Sequence, residues 1–133
     1  MYKKTITYTD YNGVERTEDF YFHLSKAELA EMELSKVGGF NEYIQRIVQA
    51  DDREEIVKNF KDIILKSYGV KDETGKRFIK SEELATEFSQ TEAYSELFME
   101  LLLNTDSAIA FINNVVPKEV KEKAEVEAKR LEG

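Results

Sequence analysis

The sequence contains no cysteine and no tryptophan, and it has a single proline and a single histidine. Without cysteine there are no disulfides, no thiolate metal ligands and no cysteine nucleophile, so a reducing cytoplasm is the compartment that the composition favours. The one histidine, His23, belongs to no recognisable motif with a nucleophile or a second metal ligand. A lone histidine of this kind is structural or solvated more often than it is catalytic.

Long apolar runs are also absent. No segment approaches the length of a membrane-spanning helix, and the polar N-terminus does not read as a signal peptide, so we expect a protein that stays in the cell that makes it. Basic residues are outnumbered, with 19 Lys and Arg against 27 Asp and Glu and a formal net charge of −8. This balance disfavours nucleic acid as a partner and favours solubility and, more weakly, a basic or poorly soluble partner.

Motifs that carry catalytic or cofactor chemistry are missing. Gly69 and Gly75-Lys76 have the wrong spacing for a phosphate-binding loop, and Arg77 stands where that loop requires serine or threonine. Residues 72–75 lack the alternating oxygen ligands of a calcium loop. The sequence therefore predicts no enzyme activity, no cofactor and no metal site.

Residues 2–22 are predicted to form a β-hairpin, because two segments rich in threonine and tyrosine flank the turn signal Asp10-Tyr11-Asn12-Gly13. A two-residue loop would place Ile6 opposite Asp19. A three-residue loop with Gly13 as its left-handed residue instead collects the apolar side chains on one face, and we predict this register. The apolar face then contains Tyr2, Ile6, Tyr8, Val14, Phe20 and Phe22.

Helix signals follow the hairpin. Ser25 and Glu28 form a capping box that begins a first helix, which should end near Lys36. The later helices are predicted from their caps and apolar stripes. A second opens at Phe40, a third follows Asp51-Asp52 and is closed by Gly69, a fourth is capped by Ser81, a fifth starts after Ser89 or Thr91, a sixth follows the break at Asn104-Thr105-Asp106 and a last one follows Pro117.

The predicted fold class is α+β and predominantly α: an N-terminal β-hairpin followed by a bundle of about six or seven short helices starting at residue 26. In this prediction residues 1–117 form a single globular domain, and residues 71–80 are a polar, mobile loop anchored by Phe78 and Ile79. Residues 118–133 are nearly all Lys, Glu and Ala. They form a charged C-terminal helix that is either loosely docked or waiting for a partner.

One predicted helix carries more apolar surface than a helix packed on one side requires. In the segment 94–103, Met99 and Leu103 widen the apolar stripe. Such a helix is either covered on both sides or partly exposed for a partner. The candidate partner-binding residues are Tyr94, Phe98, Met99, Leu102 and Leu103.

The chain resembles the tail assembly chaperones of long-tailed, siphovirus-type phages and prophages of Gram-positive bacteria. Four segments carry this resemblance: the hairpin at 4–13, the helix start at 22–33, the Gly-Lys-Arg-Phe-Ile-Lys-Ser stretch at 75–81, and residues 88–98. The resemblance covers the chain from near residue 1 to about residue 117. None of them is a mechanistic motif, so the resemblance rests on the whole pattern.

This resemblance implies a small, mostly helical, non-catalytic protein without a cofactor, which acts in the host bacterial cytoplasm and is not part of the mature virion. The implied partners are the tape-measure protein, which the chaperone keeps soluble, and the tail-tube protein, which it helps to recruit through a longer frameshifted form. Because one small domain cannot cover a very long client, self-association of many copies is expected. Nucleic acid and membrane are not expected partners.

Two other classes of protein share this composition. A virion connector or adaptor retained in the tail would have the same sequence character. A small-molecule-binding domain or a cryptic enzyme would instead need a closed pocket with convergent polar groups.

Overall fold

The computed structural model describes residues 1–31 and 53–117, and in this part of the chain it contains four strands and five helices. The strands are β1 (Tyr2–Thr9), β2 (Glu15–Phe22), β3 (Tyr68–Lys71) and β4 (Phe78–Ile79). The helices are α1 (Lys26–Glu31), α2 (Arg53–Ser67), α3 (Glu82–Ser89), α4 (Glu92–Leu103) and α5 (Thr105–Val115). The helices predicted to start at Phe40 and after Pro117 lie outside the described residues, as does the predicted end of the first helix.

The sheet corrects the predicted fold class. The strands form one antiparallel sheet in the order β1-β2-β3-β4. The described residues are therefore α+β with a four-stranded sheet and five helices, and the prediction of a hairpin followed by a larger helical bundle was wrong. Strands β3 and β4 were not predicted, because strands of four and two residues are too short to show a side-chain alternation.

The N-terminal hairpin has the predicted three-residue loop. Ile6 lies opposite Glu18 and not opposite Asp19, which confirms the register. Gly13 has a φ of 81°, and its N–H donates to the carbonyl of Asp10 at 3.0 Å. A residue with a side chain rarely adopts this left-handed conformation, so the glycine determines the loop length and, through it, which face of the hairpin is apolar.

Gly69 does not end a helix as predicted, because α2 already ends at Ser67 and Gly69 lies inside β3. A Cβ atom on residue 69 would come within 2.7 Å of the Phe78 ring and within 2.8 Å of the Ile79 carbonyl oxygen. Glycine is needed here for close approach of β4, and this packing turns the predicted mobile loop into a second hairpin.

The turn between β3 and β4 is organised by Asp72. Its backbone N–H donates to the carbonyl of Arg77 at 3.0 Å, and its carboxylate accepts from the hydroxyl of Thr74 at 2.9 Å. Gly75, with a φ of 75°, donates its N–H to the carbonyl of Asp72 at 3.1 Å. These hydrogen bonds within the turn order it without contacts from distant parts of the chain.

The hydrophobic core lies between one face of the sheet and the helices. Phe22 is completely buried near its centre, and its ring centroid is 5.3 Å from that of Phe111 and 5.8 Å from that of Phe88. The buried apolar residues are Ile6, Phe22, Leu24, Leu29, Phe60, Ile63, Ile64, Phe88, Ala93, Leu97, Leu101, Ala108, Phe111, Ile112, Val115 and Val116. Val14, which shares the apolar face of the hairpin, is exposed at its tip.

Three predicted helix caps are confirmed. Ser25 and Glu28 form the reciprocal capping box, with hydrogen bonds of 3.0 and 3.1 Å. Ser81 caps α3, and of the two alternatives for the next helix Thr91, not Ser89, caps α4. Among the described helices, none combines the length and the apolar character needed to cross a lipid bilayer.

Candidate protein-binding surface on helix α4

Helix α4 is held against the sheet by one strongly apolar stripe. Thr91 accepts a hydrogen bond from the N–H of Tyr94 and begins the helix, and Ala93, Leu97 and Leu101 follow at intervals of four residues on its inner face. All three inner residues are buried. Since this stripe already anchors the helix, apolar residues elsewhere on α4 are available for other contacts.

The five candidate residues fall on two further stripes of α4. Met99 and Leu103 face outward, with 44% and 75% of their surface exposed. Tyr94, Phe98 and Leu102 are half-buried and pack against the edge of the core. The structure therefore places all five on one continuous side of the helix, but only Met99 and Leu103 are mainly solvent-facing.

The half-buried stripe is fixed by aromatic packing. The Tyr94 ring lies 5.8 Å from that of Phe88 in an edge-on arrangement and 5.8 Å from that of Phe98. Partial burial raises the pKa of the Tyr94 hydroxyl above its ordinary value. Tyr94 and Phe98 thus offer a rigid, uncharged border to the exposed Met99 and Leu103.

The opposite border of α4 is acidic. Glu92, Glu96 and Glu100 recur at intervals of four residues, which places them along one line of the helix surface. The whole segment 81–117 contains no lysine or arginine, so no basic side chain from its own element neutralises this line. Together the two borders frame an apolar strip with negative charge on one side only.

The acidic line runs beside the outer edge of β1. Lys4 on β1 forms an ion pair with Glu100, with an Nζ–Oε2 distance of 2.8 Å, and the hydroxyl of Tyr11 hydrogen-bonds to Glu92. Helix and strand therefore run antiparallel to each other, with Glu96 between the two contacts. None of these glutamates was a predicted site residue, because their significance depends on contact with residues far away in the chain.

A second polar cluster joins α1 to β4 and surrounds His23. Lys80 forms an ion pair with Glu28 at 2.6 Å and also donates to the backbone carbonyl of His23. Burial and the nearby positive charges of the N-terminal amino group and Lys80 lower the pKa of His23. Its ring packs edge-on against Phe78, and its Nδ1 atom is buried without a hydrogen-bond partner. Of the two predicted roles for His23, structural and solvated, this geometry fits the structural one.

No group of three or more His, Cys, Asp or Glu side chains within residues 1–31 and 53–117 is arranged to hold a metal ion. What the described surface does offer is an apolar helix stripe, bordered by aromatic rings and by carboxylates. An arrangement of this kind is suited to binding another protein through side-chain burial. The described residues therefore form a small α+β protein with an exposed apolar strip on one helix.

Comparison with known families places the chain more narrowly. The model of a family described as phage tail assembly chaperone matches residues 1–132, which is almost the entire chain. The chain belongs to this phage tail assembly chaperone family, which confirms the family resemblance of its sequence. Comparisons with curated proteins and with solved structures found no match.

Proposed function

We propose that this chain is a non-catalytic chaperone that binds the tape-measure protein of its phage, keeps it soluble, and helps to recruit tail-tube subunits before leaving the assembling tail. It acts in the host cytoplasm and is absent from the mature virion. Family membership supports the chaperone role. We choose the outer side of α4 as the binding surface because Met99 and Leu103 are exposed there.

The chemistry of this surface suits a long helical client. An apolar stripe on one helix receives the apolar stripe of another, with contacts repeated every three or four residues. Burying a leucine or methionine side chain contributes about 1.5–3 kcal/mol. One copy would therefore bind weakly, but many copies along one client, associating side by side, would hold it firmly.

The tail-tube protein is the second proposed partner, reached through a longer frameshifted form of the chain. We assign it no surface among the described residues, since the proposed extension would supply that contact. Nucleic acid and membrane have no place in this proposal, because the acidic segment 81–117 would repel phosphate groups.

The experiment is co-expression with the cognate tape-measure protein. The wild-type chain should raise the soluble fraction of that protein and co-purify with it. The double substitution Met99→Asp and Leu103→Asp should abolish both effects, because it places charge in the buried contact. Val57→Asp, an exposed apolar position on α2, is the matched control and should leave both effects intact.

The outcomes separate the parts of the proposal. A tape-measure protein that is equally soluble with and without the chain, and that does not co-purify, contradicts the chaperone role. Co-purification that survives the double substitution in a folded protein contradicts only the choice of surface. Stable recovery of the chain in purified phage particles would identify it as a virion connector instead.

A further inference from the structure

In the part of the chain that the structure describes, the outer edge of β1 is unpaired and lies beside helix α4. β1 is the first strand of the sheet, and within residues 1–31 and 53–117 no strand pairs with its outer side. It is eight residues long and contains neither proline nor a bulge against β2. Natural sheet edges are usually shortened, bent or blocked, because an open edge pairs readily with another strand.

The register shows which backbone groups face outward. The N–H of Asp10 donates to the carbonyl of Val14 at 2.8 Å, so positions 10 and 14 form a hydrogen-bonded pair. Such pairs alternate along an antiparallel ladder, so the even-numbered residues of β1 bond to β2. The odd-numbered Lys3, Thr5 and Thr7 therefore direct their N–H and C=O groups away from β2, toward the open edge.

A groove runs along this edge between strand and helix. It has a volume of about 200 Å³ and is lined by β1 residues 4–7 and by Glu96, Leu97 and Glu100 of α4. A strand added to β1 would lie in this groove. Every second side chain of that strand would then turn toward the acidic line of α4.

The spacings of the two elements match. Carboxylates four residues apart on a helix recur about every 6 Å, and alternate residues of a strand recur about every 6.6 Å. β1 itself makes one contact of this kind, because its Lys4 forms an ion pair with Glu100. Glu96 is exposed, one turn further along the same line.

We propose that the open edge of β1 binds an extended segment of a partner protein by strand addition, and that this segment carries Lys or Arg at alternate positions facing α4. Backbone hydrogen bonds from Thr5 and Thr7 provide attachment. Glu96 selects basic side chains, together with Glu100, whose carboxylate already pairs with Lys4. A second copy of this chain is a poor occupant. Two β1 edges paired about a twofold axis would bring two acidic lines of α4 together.

This surface differs from the one proposed for the tape-measure protein, because Met99 and Leu103 do not line the groove. The two proposals can therefore fail independently. The probe for the groove is a fluorescent eight-residue peptide, the length of β1, in which Lys and Thr alternate. Two peptides serve as comparisons: one of the same composition with its lysines in a block, and one N-methylated at the alternate amides that would pair with β1.

Fluorescence anisotropy should show that the alternating peptide binds at least about tenfold more tightly than either comparison peptide, since only it provides both the backbone bonds and the charge spacing. Thr7→Pro in the protein should weaken binding by a similar factor, because it removes an outward N–H without removing a bond to β2. Thr7→Val, which keeps the N–H, should bind normally. Glu96→Gln should weaken binding and reduce its dependence on salt.

Equal binding of all three peptides would overturn the proposal, since the attraction would then be nonspecific charge. A solution dimer that Thr7→Pro converts to a monomer would also overturn it, because a second copy would then occupy the edge. Should Thr7→Pro fail to fold, the N-methylated peptide still decides the question on the unaltered protein.

Discussion

At the scale of single residues, Gly69 is a position where the structure leaves no room for a side chain. We expect Gly69→Ala to destabilise the protein by about 1–3 kcal/mol, because the new methyl group would overlap both the Phe78 ring and the Ile79 carbonyl oxygen. Chemical denaturation monitored by circular dichroism measures this loss. Phe78→Ala in the same background should cost less than the sum of the two single substitutions, since it removes one of the two overlaps. An unchanged midpoint for Gly69→Ala would show that β3 and β4 are not packed this closely.

At the scale of elements, the ion pair between Glu28 and Lys80 ties α1 to the β4 side of the sheet. Burial raises the pKa of Glu28, but hydrogen bonds from Lys80 and from the backbone of Ser25 outweigh it, so the pKa of Glu28 lies below its ordinary value of 4.5. A carboxylate with a lowered pKa in the folded state stabilises the fold above its unfolded pKa, and this stabilisation is lost as pH falls through the folded value. The tie between the two elements should therefore weaken in acid.

The corresponding prediction concerns Glu28→Gln. We expect this variant to be less stable than wild type at pH 7, and we expect the difference to shrink as pH falls below about 4.5, where wild type loses the same charge. Thermal unfolding across this pH range measures it. Glu73→Gln, at an exposed position in the β3–β4 turn, is the control and should follow wild type at every pH. A Glu28→Gln difference that stays constant with pH would mean that the carboxylate charge does not stabilise the joint.

At the scale of the whole molecule, the last described residues that belong to the hydrophobic core lie at the end of α5. Val115 and Val116 are buried, and the carbonyl of Val115 accepts a hydrogen bond of 2.7 Å from the N–H of Leu24. We propose that residues 118–133 are separable from this domain. A chain truncated after Pro117 should keep a single cooperative unfolding transition, as measured by circular dichroism during heating.

The control for this truncation is one that ends at Asn114. It removes Val115 and Val116 from the core and should lower the unfolding temperature strongly, because both lost side chains are buried. Should the chain that ends at Pro117 also lose its cooperative transition, residues 118–133 belong to the core and the proposed domain boundary is wrong.

Some features of the candidate site on α4 can be predicted from the sequence, and others depend on the fold. The surplus of apolar residues on α4 was visible in the sequence, and Thr91 was one of the two predicted caps of this helix. The separation of its inner stripe from its outer residues came from the structure. The distinction between exposed Met99 and half-buried Phe98 was not visible, since it depends on neighbours such as Phe88 that only the fold brings close. The contact of Lys4 with Glu100 spans almost the whole described chain, and no local pattern predicts it.

The sequence by itself determined the features that depend on neighbours along the chain: the loop length set by Gly13, the capping box at Ser25 and Glu28, and the helix caps. The pattern over the whole sequence also identified the phage chaperone family. Tertiary structure alone decided the four-stranded sheet and, within residues 1–31 and 53–117, the unpaired outer edge of β1. The physical reason is that turns and caps are fixed by backbone conformation and hydrogen bonds within a few residues. Short strands such as β3 and β4 instead gain their stability from partners distant in sequence, so the same residues read as a loop until those partners are in place.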